Sequence, residues 1–185
     1  MVASACSIIW CHSSYEDNRI TIAEEGGIQA VVLALLGHLD DGFIQKEAMI
    51  CIKNLATKSV NKKRFRQHGC EMALLLSMQA NYNSPAILDE AFSAYNNVVV
   101  DIAERTVERV PPPVFDCVLR AMARFPKDRG VQESACFFLK SLTFDYSNIA
   151  FMQQRRDEFV ELLTIAAANH PQDCQDKASE ICSKI

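Results

Sequence analysis

Apolar residues recur along this chain with the period of a helix, and the pattern itself repeats. Positions i, i+3 and i+4 are apolar again and again, and no run alternates as a half-buried strand does. The segment IQKEAMICIKNLA, Ile44 to Ala56, has four counterparts: VASACSIIWC from Val2, ILDEAFSAYNNVV from Ile87, VQESACFFLKSLT from Val131 and CQDKASEICSKI from Cys174. Each carries a small residue at the same place, namely Ala5, Ala48, Ala91, Ala135 and Ala178, at intervals of 43, 43, 44 and 43. Thirteen residues after the Ala come Asn18, Asn61 and Asn148, with Glu104 in the third unit. Twenty-one after it come Gly26, Gly69, Pro112 and Arg156, and 28 after it Leu33, Leu76, Leu119 and Leu163. Four after it stand Ile9, Ile52, Tyr95, Leu139 and Cys182. An apolar column held at a fixed period predicts a core position repeated along a stack.

Three helices are predicted in each period. The first covers about 18–25, 61–68, 102–109 and 148–156, with the Asn at its start as N-cap. The second covers about 28–37, 71–80, 113–124 and 158–168. Gly26–Gly27 and Gly69 supply the bend before it, and Pro111–Pro112–Pro113 takes their place in the third unit. The third and longest covers about 2–12, 43–57, 87–100, 131–143 and 173–184, behind loops rich in Gly, Asp, Asn and Pro. The predicted core contains Ile52, Leu76, Leu119, Leu139 and Leu163, with the Ala column at close helix contacts.

Composition narrows the function. Apolar residues make up 49% of the 185 residues and charged residues 23%, the balance of a chain that folds. A net charge of −4 argues against a nucleic-acid partner, and no apolar run is long enough for a membrane span. The eight cysteines form no CxxC pair, and the first residues, MVASACSIIWCHSSYED, lack the basic start of a secretory signal. The expectation is eight reduced thiols in a cytoplasmic protein, with the nucleus as the other compartment that keeps thiols reduced.

IQKEAMICIKNLA followed by NKKRFRQHG resembles an armadillo repeat, as does NRITIAEEGGIQAVVLALL with its Asn, Gly-Gly-Ile turn and Leu-rich second helix. VQESACFFLKSLT matches the third-helix pattern of that family. The resemblance covers nearly the whole chain: a lone third helix within 1–17, then units of about 18–60, 61–101, 102–147 and 148–185. The third departs at Glu104 and Pro112 and the fourth at Arg156. The resemblance implies an all-α, right-handed armadillo-type α-solenoid whose third helices line a concave groove for an extended peptide or another protein.

In peptide-binding members of the family an Asn lies six residues after the small Ala. That column here reads Cys11, Asn54, Asn97, Ser141 and Lys184. An amide both donates and accepts, so it can pair with the main chain of an extended partner. It can equally bond a neighbouring loop or helix carbonyl, and both readings of Asn54 and Asn97 stand. Two residues after the Ala, where the import-receptor branch carries Trp, this chain has Ser7, Ile50, Ser93 and Phe137. The missing Trp shelf argues against recognition of basic nuclear-localisation peptides. Offsets of two and six lie about one turn apart on a helix, so Ile50, Asn54, Ser93, Asn97, Phe137 and Ser141 form the expected partner-binding stripe.

Chemistry is scarce elsewhere. Cys11–His12 is the one adjacent Cys/His pair, too little for zinc or for an activated thiolate. Asn61–Lys62–Lys63–Arg64–Phe65–Arg66, the densest basic run, reads as a solvated helix face. No nucleophile, base and orienter occur in a recognisable spacing, so no catalytic residue, metal or cofactor is expected. The leading function is a noncatalytic protein–protein interaction module; a structural or autoinhibitory segment of a larger protein is the alternative. Ile8, Ile9 and Trp10 at one end, and Ile181, Cys182 and Ile185 at the other, lack a neighbouring unit, which predicts that the array continues or that its ends self-associate.

Overall fold

A computed structural model describes residues 2–104 and 106–185. Twelve helices hold most of them: α1 (Val2–Ser13), α2 (Asn18–Glu24), α3 (Gly27–Gly37), α4 (Gly42–Leu55), α5 (Ser59–Gln67), α6 (Cys70–Ala80), α7 (Pro85–Val99), α8 (Pro112–Arg124), α9 (Arg129–Leu142), α10 (Tyr146–Gln154), α11 (Arg156–Asn169) and α12 (Pro171–Lys184). The fold is all-α apart from one two-residue antiparallel pair, β1 (Val100–Asp101) with β2 (Thr106–Val107).

Helices that share the 43-residue spacing pack on one another in series. α1 packs on α4, α4 on α7, α7 on α9 and α9 on α12; a second series runs α3, α6, α8, α11. Small side chains let the first series approach closely: Ala48, Ala91, Ala135 and Ala178 are buried. Ala5 is exposed, contrary to the expectation from its column. Tyr95, Phe92 and Phe138 pack together between α7 and α9, and Phe115 meets Phe151 and Phe159 between α8, α10 and α11. Gly26 and Gly69 take φ of 82° and 70°, a left-handed conformation that costs a side-chain-bearing residue and lets the chain bend into α3 and α6. Three other caps are aspartates: Asp41, Asp128 and Asp145 accept backbone N–H bonds at the starts of α4, α9 and α10.

Four expectations need correction. Ile52, Leu119, Leu139 and Leu163 are buried as predicted, but Leu76 is 37% exposed and Leu33 also lies outward. Val32 and Leu75, one residue earlier, take the core position on α3 and α6.

The Asn column does not cap helices. Asn61 and Asn148 lie inside α5 and α10, fully buried, and tie backbones that are far apart in sequence. Asn61 Nδ2 donates to the carbonyls of Arg19 (2.9 Å) and Leu55 (3.0 Å). Asn148 Nδ2 donates to Glu108 O (3.1 Å), while its Oδ1 accepts from the Val110 N–H (3.1 Å). Asn18 is the partial exception, at the edge of α2 and bonded to His12 O (3.2 Å).

Among the described residues of 102–109 the expected helix is not present. A hairpin stands there, with Val100 opposite Val107 and Asp101 opposite Thr106. Three physical causes converge. Val98–Val99–Val100 is β-branched, Asp101 Oδ1 holds the N–H groups of Ala103 (3.1 Å) and Glu104 (3.2 Å) in a turn, and Pro111–Pro113 offer no N–H to prolong a helix. Lastly, of the end residues expected to lack cover, Ile181 is fully buried against its own neighbours, whereas Ile8 is largely exposed.

Candidate functional site

The expected stripe lies on the solvent side of the α4–α7–α9 series. Ile50, Asn54, Ser93 and Asn97 are half-buried, Phe137 is 49% exposed and Ser141 is nearly covered. The helices place these residues because offsets of two and six from a buried Ala fall on the face turned away from the second series. Their polar groups are partly committed. Asn97 Nδ2 donates to the Lys53 carbonyl of α4 (3.0 Å), and Asn54 Nδ2 donates to Ser13 Oγ of α1 (3.2 Å). Each amide thereby stitches its helix to the preceding one in the series and keeps a second N–H; Asn54 also keeps its carbonyl oxygen, whereas Asn97 Oδ1 accepts from Asn96 Nδ2 (3.5 Å). Ser141 Oγ donates to Phe137 O on its own helix (3.0 Å), so its hydroxyl offers a partner only its lone pairs.

Charged groups flank this stripe, and the first reading of the sequence missed them. Glu47 and Glu90 directly precede the column residues Ala48 and Ala91, whereas Glu133 lies two before Ala135, one step out of that register. Glu47 is buried and accepts from Ser7 Oγ (3.0 Å); Glu90 pairs with Lys53 (2.6 Å); Glu133 lies 3.9 Å from both Arg129 and Lys177. On α9 and α12, Lys140 (2.6 Å) and Lys184 (3.1 Å) share one carboxylate, Glu180. The bond from Lys140, then that from Lys184, holds the Glu180 carboxyl below its usual range.

The basic run on α5 is not the solvated face that the sequence suggested. Lys62 is buried, and its ammonium caps the end of α7 by donating to Asn97 O (2.8 Å) and Val100 O. Burial pushes its pKa below the usual lysine value, with Asp101 pulling the other way. Asp101 is itself covered. Burial opposes its ionisation, yet bonds from Ser59 Oγ (2.9 Å) and the Glu104 N–H, with Lys62 nearby, leave its carboxyl below the usual range. Arg64 and Arg66 pair with Glu24 (3.2 Å) and Glu108 (3.4 Å), leaving Lys63 as the exposed cation of the run. The hairpin braced in this way forms, with Phe144, a mainly apolar recess of about 300 Å³ lined by Val100, Asp101, Ile102, Thr106, Val107 and Phe144. Neither Ile102 nor Phe144 belongs to a repeated column, so no periodic signal pointed to them.

All eight cysteines are free thiols. Cys6, Cys51 and Cys136 pack in the core, and burial pushes all three thiols up. Cys11 and His12 are both exposed. Among the described residues no three His, Cys, Asp or Glu side chains converge as metal ligands, and no single helix is long and apolar enough to cross a membrane. No known family model, curated protein or solved structure matches this chain.

Proposed function

We propose that the chain is a right-handed armadillo-type α-solenoid of three-helix units, and that it acts as a noncatalytic interaction module. Its concave third-helix face binds an extended segment of a partner protein through the stripe of Ile50, Asn54, Ser93, Asn97, Phe137 and Ser141. The observation that carries this reading is the serial packing of α1, α4, α7, α9 and α12 at a near-constant 43-residue spacing. Helices in such a series present equivalent residues at regular intervals, which matches the repeating main chain of an extended peptide. The second N–H of each of the two amides and the carbonyl of Asn54 are the groups that main chain would meet. With Ile50, Ser93 and Phe137 where the import-receptor branch has Trp, the stripe lacks that branch's stacked platform for basic side chains, so the partner is not a stretch of lysines and arginines.

One observation favours a second reading. The amide bonds from Asn54 to Ser13 and from Asn97 to Lys53 O serve the stack itself, as they would in a structural or autoinhibitory segment of a larger protein.

Selection of a phage-displayed random peptide library on the protein separates the two. The interaction reading predicts that selected peptides bind wild-type protein and lose affinity to Ser93→Arg, which fills the stripe without removing a bond between helices. Asn54→Ala with Asn97→Ala is expected to weaken binding several-fold to about a hundredfold, at about 0.5–1.5 kcal/mol per lost amide contact. Peptides indifferent to Ser93→Arg overturn the groove. A double variant that loses binding only in step with its melting temperature supports the structural reading.

A further inference from the structure

The recess beside the hairpin holds side chains that the core does not use. Ile102 is 86% and Phe144 69% exposed, while Val100 and Val107 form the floor between them. Large apolar groups left in water at one place mark an interaction surface more often than chance. Phe144 lies in the turn just past the end of α9, two residues after its last helical residue Leu142, so the recess sits next to the end of the helix that carries Phe137 and Ser141. Its volume of about 300 Å³, at the small end of the range for ligand pockets, is enough for one large side chain. The β1 edge of the hairpin is closed, since the Val100 N–H donates to Asn96 O and its carbonyl accepts from Lys62, so an added extended chain would lie along β2.

Charge gathers at the rim. Among the described residues two ammonium groups, Lys140 and Lys184, face one shared carboxylate, Glu180. The Lys184 ammonium sits 4.8 Å from the centre of the Phe144 ring and donates to Thr143 Oγ1 (3.1 Å), so that charge is at the mouth of the recess. Two acidic groups beside it are turned inward: Asp101 grips Ser59 and its own turn, and Asp145 caps α10. Glu104, on the hairpin turn, is the exposed opposing charge.

We propose that this recess receives a bulky apolar side chain of an extended partner segment, with an Asp or Glu beside it paired to the Lys140–Lys184 ammonium groups. The proposal rests on the groove reading above and gives the partner its chemistry. The apolar group supplies affinity through the area it buries, and the carboxylate supplies register and rejects basic segments.

The test uses the same phage-displayed library and the full chain. Selected sequences are expected to share a large apolar or aromatic residue next to Asp or Glu. Ile102→Ser with Phe144→Ser is expected to lower affinity about tenfold or more, since both side chains are exposed in the free protein and their contacts form on binding. Lys184→Gln is expected to lower it about two- to tenfold and to flatten its dependence on salt, whereas Glu104→Gln strengthens it. Melting temperatures of all four-position variants should stay near wild type, because none of these side chains is buried. Absence of enrichment, or enrichment of basic or purely polar sequences, overturns the proposal. Peptides weakened by Ser93→Arg but not by the Ile102/Phe144 variant overturn the recess and leave the groove standing. Peptides with the opposite response support the recess and overturn the groove.

Discussion

Replacing Asn148 by Ala tests how the units are tied together. The side chain is fully buried in α10, and both of its polar atoms bond to the segment that follows the hairpin: Nδ2 to Glu108 O and Oδ1 to the Val110 N–H, each at 3.1 Å. Val110 is itself buried, so its N–H has no water to turn to when Asn148 is shortened. Leaving one buried donor unsatisfied costs about 1–3 kcal/mol, and losing the second bond adds about 1 kcal/mol. The expected destabilisation is therefore about 2–4 kcal/mol, a fall in melting temperature of roughly 4–16 °C for a chain of this size. The assay is urea and thermal unfolding, with hydrogen exchange of the Val110 amide as the local reporter. Asn148→Ser and Asn148→Asp sharpen the comparison. Either residue would restore an N-cap, which is worth about 1 kcal/mol, but neither reproduces both bonds across the gap. Asp145 already fills the cap position, accepting from Ser147 N and Asn148 N. If Asn148→Ala costs under about 1 kcal/mol, or Asn148→Ser recovers full stability, the tie is refuted and the capping role reinstated.

Gln45 and Gln132 offer a paired comparison. Each donates to two carbonyls at the end of the helix before it, Leu35 and His38 for Gln45, Met122 and Phe125 for Gln132. Gln45 Oε1 also accepts from Ser77, whereas Gln132 Oε1 is buried without a partner. Gln45→Leu should therefore destabilise more than Gln132→Leu, by about 1 kcal/mol in denaturant unfolding, and equal losses would contradict the assignment. Stability should also fall as pH rises above about 9. Burial raises the folded-state pKa of Cys51, Cys70 and Cys136 above the ordinary 9.0, so this contribution is intact below pH 9 and is lost as the unfolded thiols ionise. Each such thiol steepens the fall by up to about 1.4 kcal/mol per pH unit, and Lys62, whose pKa is lowered, acts in the opposite sense. Replacing Cys51, Cys70 and Cys136 by Ala should flatten the alkaline limb, and an unchanged slope would count against the burial argument. Modification with a thiol reagent at neutral pH should label exposed Cys11 quickly and these three only on unfolding.

How much of this was legible before the structure varies with the physics involved. Helix positions were, because burial on a helix forces a period, and the Ala column at 43-residue spacing fixed which helices meet. Ala at those places is what close packing demands, and Ala48, Ala91 and Ala135 lie at such contacts. The Asn column was visible but its role was not. A cap and a cross-helix tie select the same amide, and only the third dimension shows Asn61 reaching Arg19 O. The phase of Leu76 was misjudged by one residue because Leu75 beside it is equally apolar, and a helix turns about 100° between them. The hairpin at 100–107 hid in a segment too short to show alternation. Lys62 read as solvent-facing because it sits among four cations, yet its stem carries the ammonium under the end of α7. Of the candidate site, the two amides and Phe137 came from the repeat frame. The carboxylates at 47 and 90 lie in that frame, Glu133 lies one step out of their register, and Ile102 and Phe144 lie outside it.

Photo-crosslinking tests the central claim most directly. A library-selected peptide is bound to protein carrying p-benzoylphenylalanine in place of the exposed Phe137, on the stripe of α9, or at position 76, on the exposed side of α6 in the other helix series. The account predicts crosslinks from position 137 and none from position 76, with the attachment points running along the peptide in an extended order. Crosslinking from position 76 with none from position 137 would place the partner on the opposite side of the molecule and contradict the account.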